Sequence, residues 1–518
     1  MKNLIRLALM AAMTISFASC ANDDPNPEKP VVPDVPPVDP GEDVVYEPGE
    51  TPSFSYSIAP WDGTVASDIT DDNVNPADED TYHENNAWEQ VISVRFNGDK
   101  AEVTGNSAPV TFTVDGAHVN LNLSAVKARV NVTGESADGS LRIVGEKRHM
   151  LNLCALNLKS SRGPAINDQD KKRVFVNLEG DSYLEDSPEY APADNPLEDR
   201  KGCFFAEGHV ILSGDGVLQI TGRQRHGLAS DGYLIIRPGV TLVVNDAAKN
   251  AIHAKGGNTT GYGIIMMGGY VYANTSAPAG KVLKSDLLID IRGGKLDRNC
   301  SGAPAVDPDD NTLSSSACIK TDGALLLRGA DASLTAVGNG GKGLNITGSI
   351  SVSGGCTTIA CTGIRMEDNN DSATPKAVKT DGNFNMLGGV LNVSAIGDGS
   401  VGVEVLGSAV LQDGVIYAFG CTEALHMVRN FALTGGTMVA GGGALSVPTE
   451  CTGVYYKVSE LSVTAPGKMV LVASSADVDE RVCATFDWPV AMTSPAEFIF
   501  WSPEVTTDLT YDPYFLAD

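Results

Sequence analysis

Two stretches of this chain, CIKTDG at Cys318–Gly323 and AVKTDG at Ala377–Gly382, repeat an aliphatic residue followed by Lys-Thr-Asp-Gly. With the aliphatic residues Ile319 and Val378 as position zero, looser copies begin at Phe204, Leu228, Ile252, Leu283, Leu344, Val403 and Leu425. Successive spacings are 24, 24, 31, 36, 25, 34, 25 and 22 residues. The longer intervals hold polar insertions such as SGAPAVDPDDNTLSSS (Ser301–Ser316) and MEDNNDSATP (Met366–Pro375). Between the copies runs a second phrase, Gly-Gly or Asp-Gly followed by alternating residues, as in GGYVYA (Gly268–Ala273), GGVLNV (Gly388–Val393) and DGVIYA (Asp413–Ala418). A short period with loop insertions marks a solenoid.

A coil of about two dozen residues accommodates three short strands and three bends, one rung of a parallel β-helix. Stacked rungs lie about 4.8 Å apart, so equivalent residues form columns. Strand side chains alternate in and out. Positions zero and +2 are therefore expected inside, and the residues at +2, including Ala206, Ala254, Thr321, Ile346 and Thr380, are small or apolar. Positions +1 and +3 are expected outside, and they hold His253, Lys284, Lys320, Lys379, Glu207, Asp231, Asp286, Asp322 and Asp381. Gly follows in most copies, as a bend with unusual φ would require. Each inward Ile, Leu or Val contributes roughly 1.5–3 kcal/mol on burial, and no rung can bury its apolar face alone.

The 518 residues include 55 Gly and only 6% aromatics, which suits many short strands and disfavours a helical protein. The net charge of −28 repels phosphate, which argues against nucleic-acid and anionic-membrane binding and is compatible with cations. Lys2 and Arg6 precede a short apolar run, Leu7–Ala18, and the run ends in FASC at Cys20. This resembles a bacterial lipoprotein signal, which implies a lipid on Cys20, and the acidic ANDD that follows resembles an address for the outer cell surface. Residues 21–52, rich in Pro, Asp and Glu, are expected to form an extended tether. The expected organisation is a leader over 1–20, the tether, an N-terminal β cap over 53–110, a parallel β-helix over 111–464 and a C-terminal β cap over 465–518. Trp61, Trp88, Trp488 and Trp501 are expected to close the ends of the coil. Cys356 and Cys361 stand close enough in sequence to pair, although scattered buried thiols are the favoured reading.

The phrases SSRGPAIN (Ser160–Asn167), KRVFVNLEGDS (Lys172–Ser182), KGCFFAEG (Lys201–Gly208) and the run from GDGVLQITGRQRHGLASDG to NAIHAKGG (Gly214–Gly257) follow one another in a telling order. In that order, over roughly residues 85–450, the chain resembles the carbohydrate-binding β-helix family of polysaccharide-using bacteria. The resemblance implies a right-handed parallel β-helix that binds cellulose or acidic polysaccharide, with calcium and without established catalysis. It transfers no binding residue to this chain.

The candidate site residues come from the columns. Glu207 with Asp231, and Asp286 with Asp322, stack carboxylates about one strand spacing apart, a gap that calcium suits. Solvated bend acids are the plainer alternative at each position. Lys320 and Lys379 are expected to pair with Asp322 and Asp381 or to meet sugar carboxylates. A lysine base beside calcium would also serve a polysaccharide lyase, but Asn345 separates the two lysines. Tyr270, Tyr272 and Tyr417 occupy outward positions in the second phrase, where a ring face packs against a pyranose. The expected function is a lipid-anchored outer-membrane protein that binds polysaccharide, acidic and with calcium, without catalysis. An adhesin or scaffold and a lyase are the competing classes.

Overall fold

A computed structural model describes residues 61–66, 77–193, 195–307, 311–368 and 371–516. The leader, Cys20 and the tether lie outside them. The chain is all-β: among the described residues the one helix is a single 3-10 turn, His83–Asn85. The rest is short strands separated by tight bends, as the Gly-rich, β-branched sequence dictates.

From Ile166–Asp168 to Tyr270–Thr275 each strand pairs in parallel with the strand three places on. Gly202–Ala206 pairs with His226–Ser230, Val210–Gly214 with Leu234–Ile236, and Val217–Gly222 with Thr241–Ala247. The chain thus visits three ladders in turn and returns one strand spacing further along. The first ladder carries the KTDG copies. Its register matches Phe204, Leu228, Ile252, Leu283, Ile319, Leu344, Val378, Val403 and Leu425 in succession. All nine are buried and belong to a single apolar core that runs the length of the stack. The insertions leave from the bends. Ser301–Ser316 carries a small hairpin, Ala305–Val306 against Leu313–Ser314, and a second hairpin pairs Met366–Asp368 with Asp371–Ala373.

The motif is explained by what Thr and Gly touch. Thr380 Oγ1 donates to Gly348 O at 2.6 Å and accepts from Gly382 N at 3.2 Å. Thr321 Oγ1 likewise donates to Leu287 O and accepts from Gly323 N. The inward Thr thus closes its own bend and ties it to the bend of the preceding coil. The reason for the Gly differs from the expectation. Neither Gly323 nor Gly382 has positive φ. A Cβ on Gly323 would lie 2.6 Å from Leu287 C, and one on Gly382 2.7 Å from Gly348 C. These glycines are required by the close approach of the preceding coil. Positive φ belongs to the second phrase, at Gly269 (80°), Gly294 (87°), Gly389 (78°) and Gly414 (85°).

Parallel pairing starts with Gln90–Asn97 against Ala128–Ser136. At the other end Ala496–Trp501 lies antiparallel on Thr437–Leu445 and buries Trp501 against the main core. Gly467–Ser475 pairs with Val478–Trp488 and Thr510–Leu516 in a separate antiparallel sheet, whose cluster includes Phe486, Trp488, Phe498 and Phe500. The N-terminal tryptophans do not plug the coil. Trp88 packs on the outside, edge-on to Phe175 at 6.1 Å, and Trp61 packs against an outer-face cluster that includes Tyr270 and Tyr272. Residues 79–88 are strapped across the stack by Asp80 to Arg148 and Arg173, and by Glu84 to Arg237. Cys361 is a free buried thiol, so a Cys356–Cys361 bridge does not form.

Charged side chains break the apolar rule at a few interior positions, Arg298 among them. His149, Asp168 and Asp170 are all fully buried, with His149 Nε2 3.1 Å from Asp168 Oδ2 and Nδ1 3.5 Å from Asp170 Oδ2. Burial alone pushes the imidazole pKa down, but the two carboxylates outweigh it and raise it to about 10.

Candidate functional site

The outer face of the first ladder is where the columns become chemistry. Position +1 presents Lys284, Lys320, Asn345, Lys379 and Glu404 in register. Lys320 Nζ lies 2.5 Å from Asp322 Oδ1 and 2.8 Å from Thr347 Oγ1. Lys379 Nζ lies 2.7 Å from Asp381 Oδ1. The Lys and Asp of each KTDG copy are therefore an ion pair on the outside of the coil. Against the opposing pull of burial, Lys320 holds the Asp322 carboxyl below its ordinary range.

A second row of lysines stands two residues before position zero, where Lys281, Ala317, Lys342 and Lys376 are in register. Lys281 Nζ donates to Ala279 O at 2.6 Å and to Ser314 Oγ at 2.9 Å, and Lys342 Nζ donates to Ser315 Oγ. Lys376 Nζ lies 2.6 Å from both Glu404 oxygens, so this row shares a surface with the +1 row. Burial, then Lys284 and Lys320, pull Lys281 down to about 8. Burial, then Lys376, Lys379 and Lys281, pull Lys342 down to about 7. The sequence reading missed this row because each lysine is the first residue of its strand, where alternation counted back from position zero would turn it inward.

Glu207 and Asp231 come together as expected and are joined by Asp199, one carboxylate oxygen of each lying within 4.8 Å of the others. Asp199 ends the acidic stretch Glu179–Asp199 and lies against the column. Lys201 Nζ sits 2.7 Å from Asp199 Oδ2 and 2.5 Å from Asp231 Oδ2. Burial, then the charges of Asp231 and Asp199, raise the Glu207 carboxyl. Three carboxylates suit calcium by donor type, but the Lys201 ammonium already bridges two of them. Asp286 and Asp322 acquire no comparable third acid among the described residues, and Asp322 is engaged by Lys320.

Tyr270 and Tyr272 leave the sheet on the outer side, with Val271 turned into the core, but both are buried beneath Trp61 and Ala66. Tyr270 Oη donates to Asp297 Oδ2 at 2.7 Å. That cover corrects their reading as open platforms for a sugar ring. Tyr417 is half-buried against the C-terminal aromatic cluster, which pushes its hydroxyl up to about 12. A more open ring is Tyr262, edge-on at 6.1 Å to Tyr233, which in turn stacks on His209 at 3.9 Å.

A family model described as carbohydrate-binding domain-containing protein matches residues 115–423. The chain belongs to that family. The matched span of this carbohydrate-binding domain holds both lysine rows, the Asp199–Glu207–Asp231 cluster and all three candidate tyrosines, and it ends before the C-terminal antiparallel sheet. No curated protein matches the chain. Among solved structures, a polysaccharide lyase-like protein from C. thermocellum, determined as a gadolinium derivative, is 14% identical, with 59% of this chain and 96% of that chain covered and a TM-score of 0.31. A likeness at that level carries no inference about fold or chemistry.

Proposed function

We propose that this protein is a lipid-anchored outer-membrane protein that uses a right-handed parallel β-helix to bind acidic polysaccharide, with calcium as an accessory ion and without catalysis. The observation that carries the reading is the carbohydrate-binding family match over residues 115–423. The in-register parallel pairing supports the β-helix, which begins with Gln90–Asn97 inside the segment expected as the N-terminal cap and meets Ala496–Trp501 at its other end. A rigid column of repeating outward side chains is complementary to a ligand that is itself a repeating polymer.

Lys320 and Lys379 supply cations for sugar carboxylates, shared with Asp322 and Asp381. Calcium is assigned first to Asp199, Glu207 and Asp231, where it would displace Lys201; the stacked pair Asp286 and Asp322 is the weaker position. Tyr417 is the one of the three candidate tyrosines left partly open to a sugar. Lipidation at Cys20 would hold the domain at the membrane through the acidic tether.

A glycan array probed with and without a chelator tests the reading. Binding to uronate polymers, weakened by chelator, is the expected result. Binding to a protein partner and to no glycan would overturn it in favour of an adhesin. Release of ultraviolet-absorbing unsaturated products from pectin or alginate would overturn the non-catalytic part. Loss of fatty-acid labelling in Cys20→Ala tests the anchor.

A further inference from the structure

The two lysine rows together make a feature that the column reading alone does not contain. Four successive coils contribute Lys281 and Lys284, then Lys320, then Lys342, then Lys376 and Lys379. At about 4.8 Å per coil the rows extend roughly 14 Å along the stack. On one side stand the hairpins of the two insertions, joined where Leu313 N donates to Asp371 Oδ2 at 2.6 Å. On the other stand Asp322, Thr347 and Asp381 at the bend.

The charge balance along this cleft is uneven. Lys320, Lys376 and Lys379 have carboxylate partners in Asp322, Glu404 and Asp381. Lys281, Lys284 and Lys342 have none within ion-pairing distance among the described residues, and the polar contacts of Lys281 and Lys342 are to neutral oxygens. Asp307 is the opposing charge that acts on Lys281 from the insertion. Burial and the neighbouring lysines disfavour the charge on Lys281 and Lys342, and an anion laid over them restores it. The chain as a whole carries −28, so it does not attract anions generally. A local cationic cleft on such a surface confines a polyanion to one place.

We propose that Lys281, Lys284, Lys320, Lys342, Lys376 and Lys379 form a cleft that takes one linear anionic polysaccharide along the coil axis, through direct ammonium contacts without a bridging cation. This rests on the acidic-polysaccharide reading above and adds the place and the mode of contact. The polymer repeats its charge from sugar to sugar as the ladder repeats its lysines from coil to coil. Asn345 interrupts the outer row at the coil where Lys342 continues the inner one, so the positive line crosses from one row to the other.

The test is titration of the full chain, in the presence of chelator, with polygalacturonate, dextran sulfate and a neutral glucan. The triple variant Lys281→Gln/Lys284→Gln/Lys342→Gln is compared with Lys100→Gln/Lys171→Gln/Lys172→Gln, which removes the same charge from exposed positions elsewhere. The expected result is a loss of about tenfold or more for the cleft variant and little change for the control. Lys284→Gln alone leaves the more buried lysines in place, guards against loss of folding, and is expected to lose about threefold. Preference between the two anionic polymers distinguishes carboxylate from sulfate as the recognised group. Unchanged binding by both cleft variants would overturn the cleft while leaving acidic-polysaccharide binding intact. So would binding abolished by chelator, since that requires an ion bridge. Binding of the neutral glucan and of neither polyanion would overturn the cleft and the acidic reading together.

Discussion

Replacing His149 with Ala should destabilise the N-terminal part of the stack more than any single aliphatic truncation there. His149 is the one cation between Asp168 and Asp170, and all three side chains are sealed inside the coil. The imidazole pKa, raised from 6.5 to about 10, corresponds to roughly 5 kcal/mol. This sits at the top of the about 3–5 kcal/mol that removal of one partner from a buried ion pair costs. The variant leaves two carboxylates enclosed with no counter-charge. The sign of the pH effect follows from the direction of the shift. A group whose folded pKa is raised contributes stability that is fully present below about pH 6.5 and is lost as pH climbs through about 10. Wild-type protein should therefore lose stability across that window, and His149→Ala should lack that loss. Urea midpoints by circular dichroism at about pH 6, 8 and 9.5 measure both effects. Replacing all three residues, as His149→Gln/Asp168→Asn/Asp170→Asn, removes the enclosed charge and should recover part of the loss. A destabilisation under about 1 kcal/mol, or a pH slope shared by variant and wild type, would refute the reasoning.

Thr380→Val removes a hydroxyl that serves Gly348 O and Gly382 N together, and should cost about 1–3 kcal/mol in a denaturant midpoint. Gly323→Ala places a methyl 2.6 Å from Leu287 C; it should cost about 1–3 kcal/mol, with local loss of hydrogen-exchange protection in the Leu287 coil. Tyr270→Phe should leave glycan affinity unchanged on an array, because the ring is covered, while removing the hydrogen bond to Asp297 and so lowering the melting temperature. Lys201→Met should tighten calcium binding at Asp199, Glu207 and Asp231 in a terbium-luminescence titration, since the resident ammonium competes for the same oxygens.

What the sequence disclosed followed from how far each interaction reaches. Phe204 through Leu425 could be aligned before any coordinates, because period and in-out alternation are local properties and a column merely repeats them. The pairing of Lys320 with Asp322 was legible for the same reason: two residues apart on one strand face the same way. Tyr270 and Tyr272 were assigned the correct side of the sheet, but the segment that covers them, Trp61–Ala66, lies some two hundred positions away and announces itself by no pattern. The acidic stretch Glu179–Asp199 was a candidate by its composition, but acids are too common there for the pattern to single out Asp199 or to show that it meets the column. Lys281, Lys342 and Lys376 open their strands at a position that alternation would turn inward, so the pattern did not mark them as a surface row. Asp168 is an acid at a position in register with Ala206, which alternation turns inward, and only His149 makes it tolerable there. The glycines of the motif were assigned to a turn geometry, whereas the deciding factor is the neighbouring coil.

The strap across residues 79–88 changes how the stack should come apart. In an array whose units touch only their immediate neighbours, fraying proceeds from an open end one unit at a time. Here Asp80 reaches the coils that begin at Arg148 and Arg173, and Glu84 reaches Arg237 further along. Opening any of those coils strains the same short segment, so they should exchange amide protons as one block, with the sharpness of a small globular domain, while the coils beyond Arg237 yield singly.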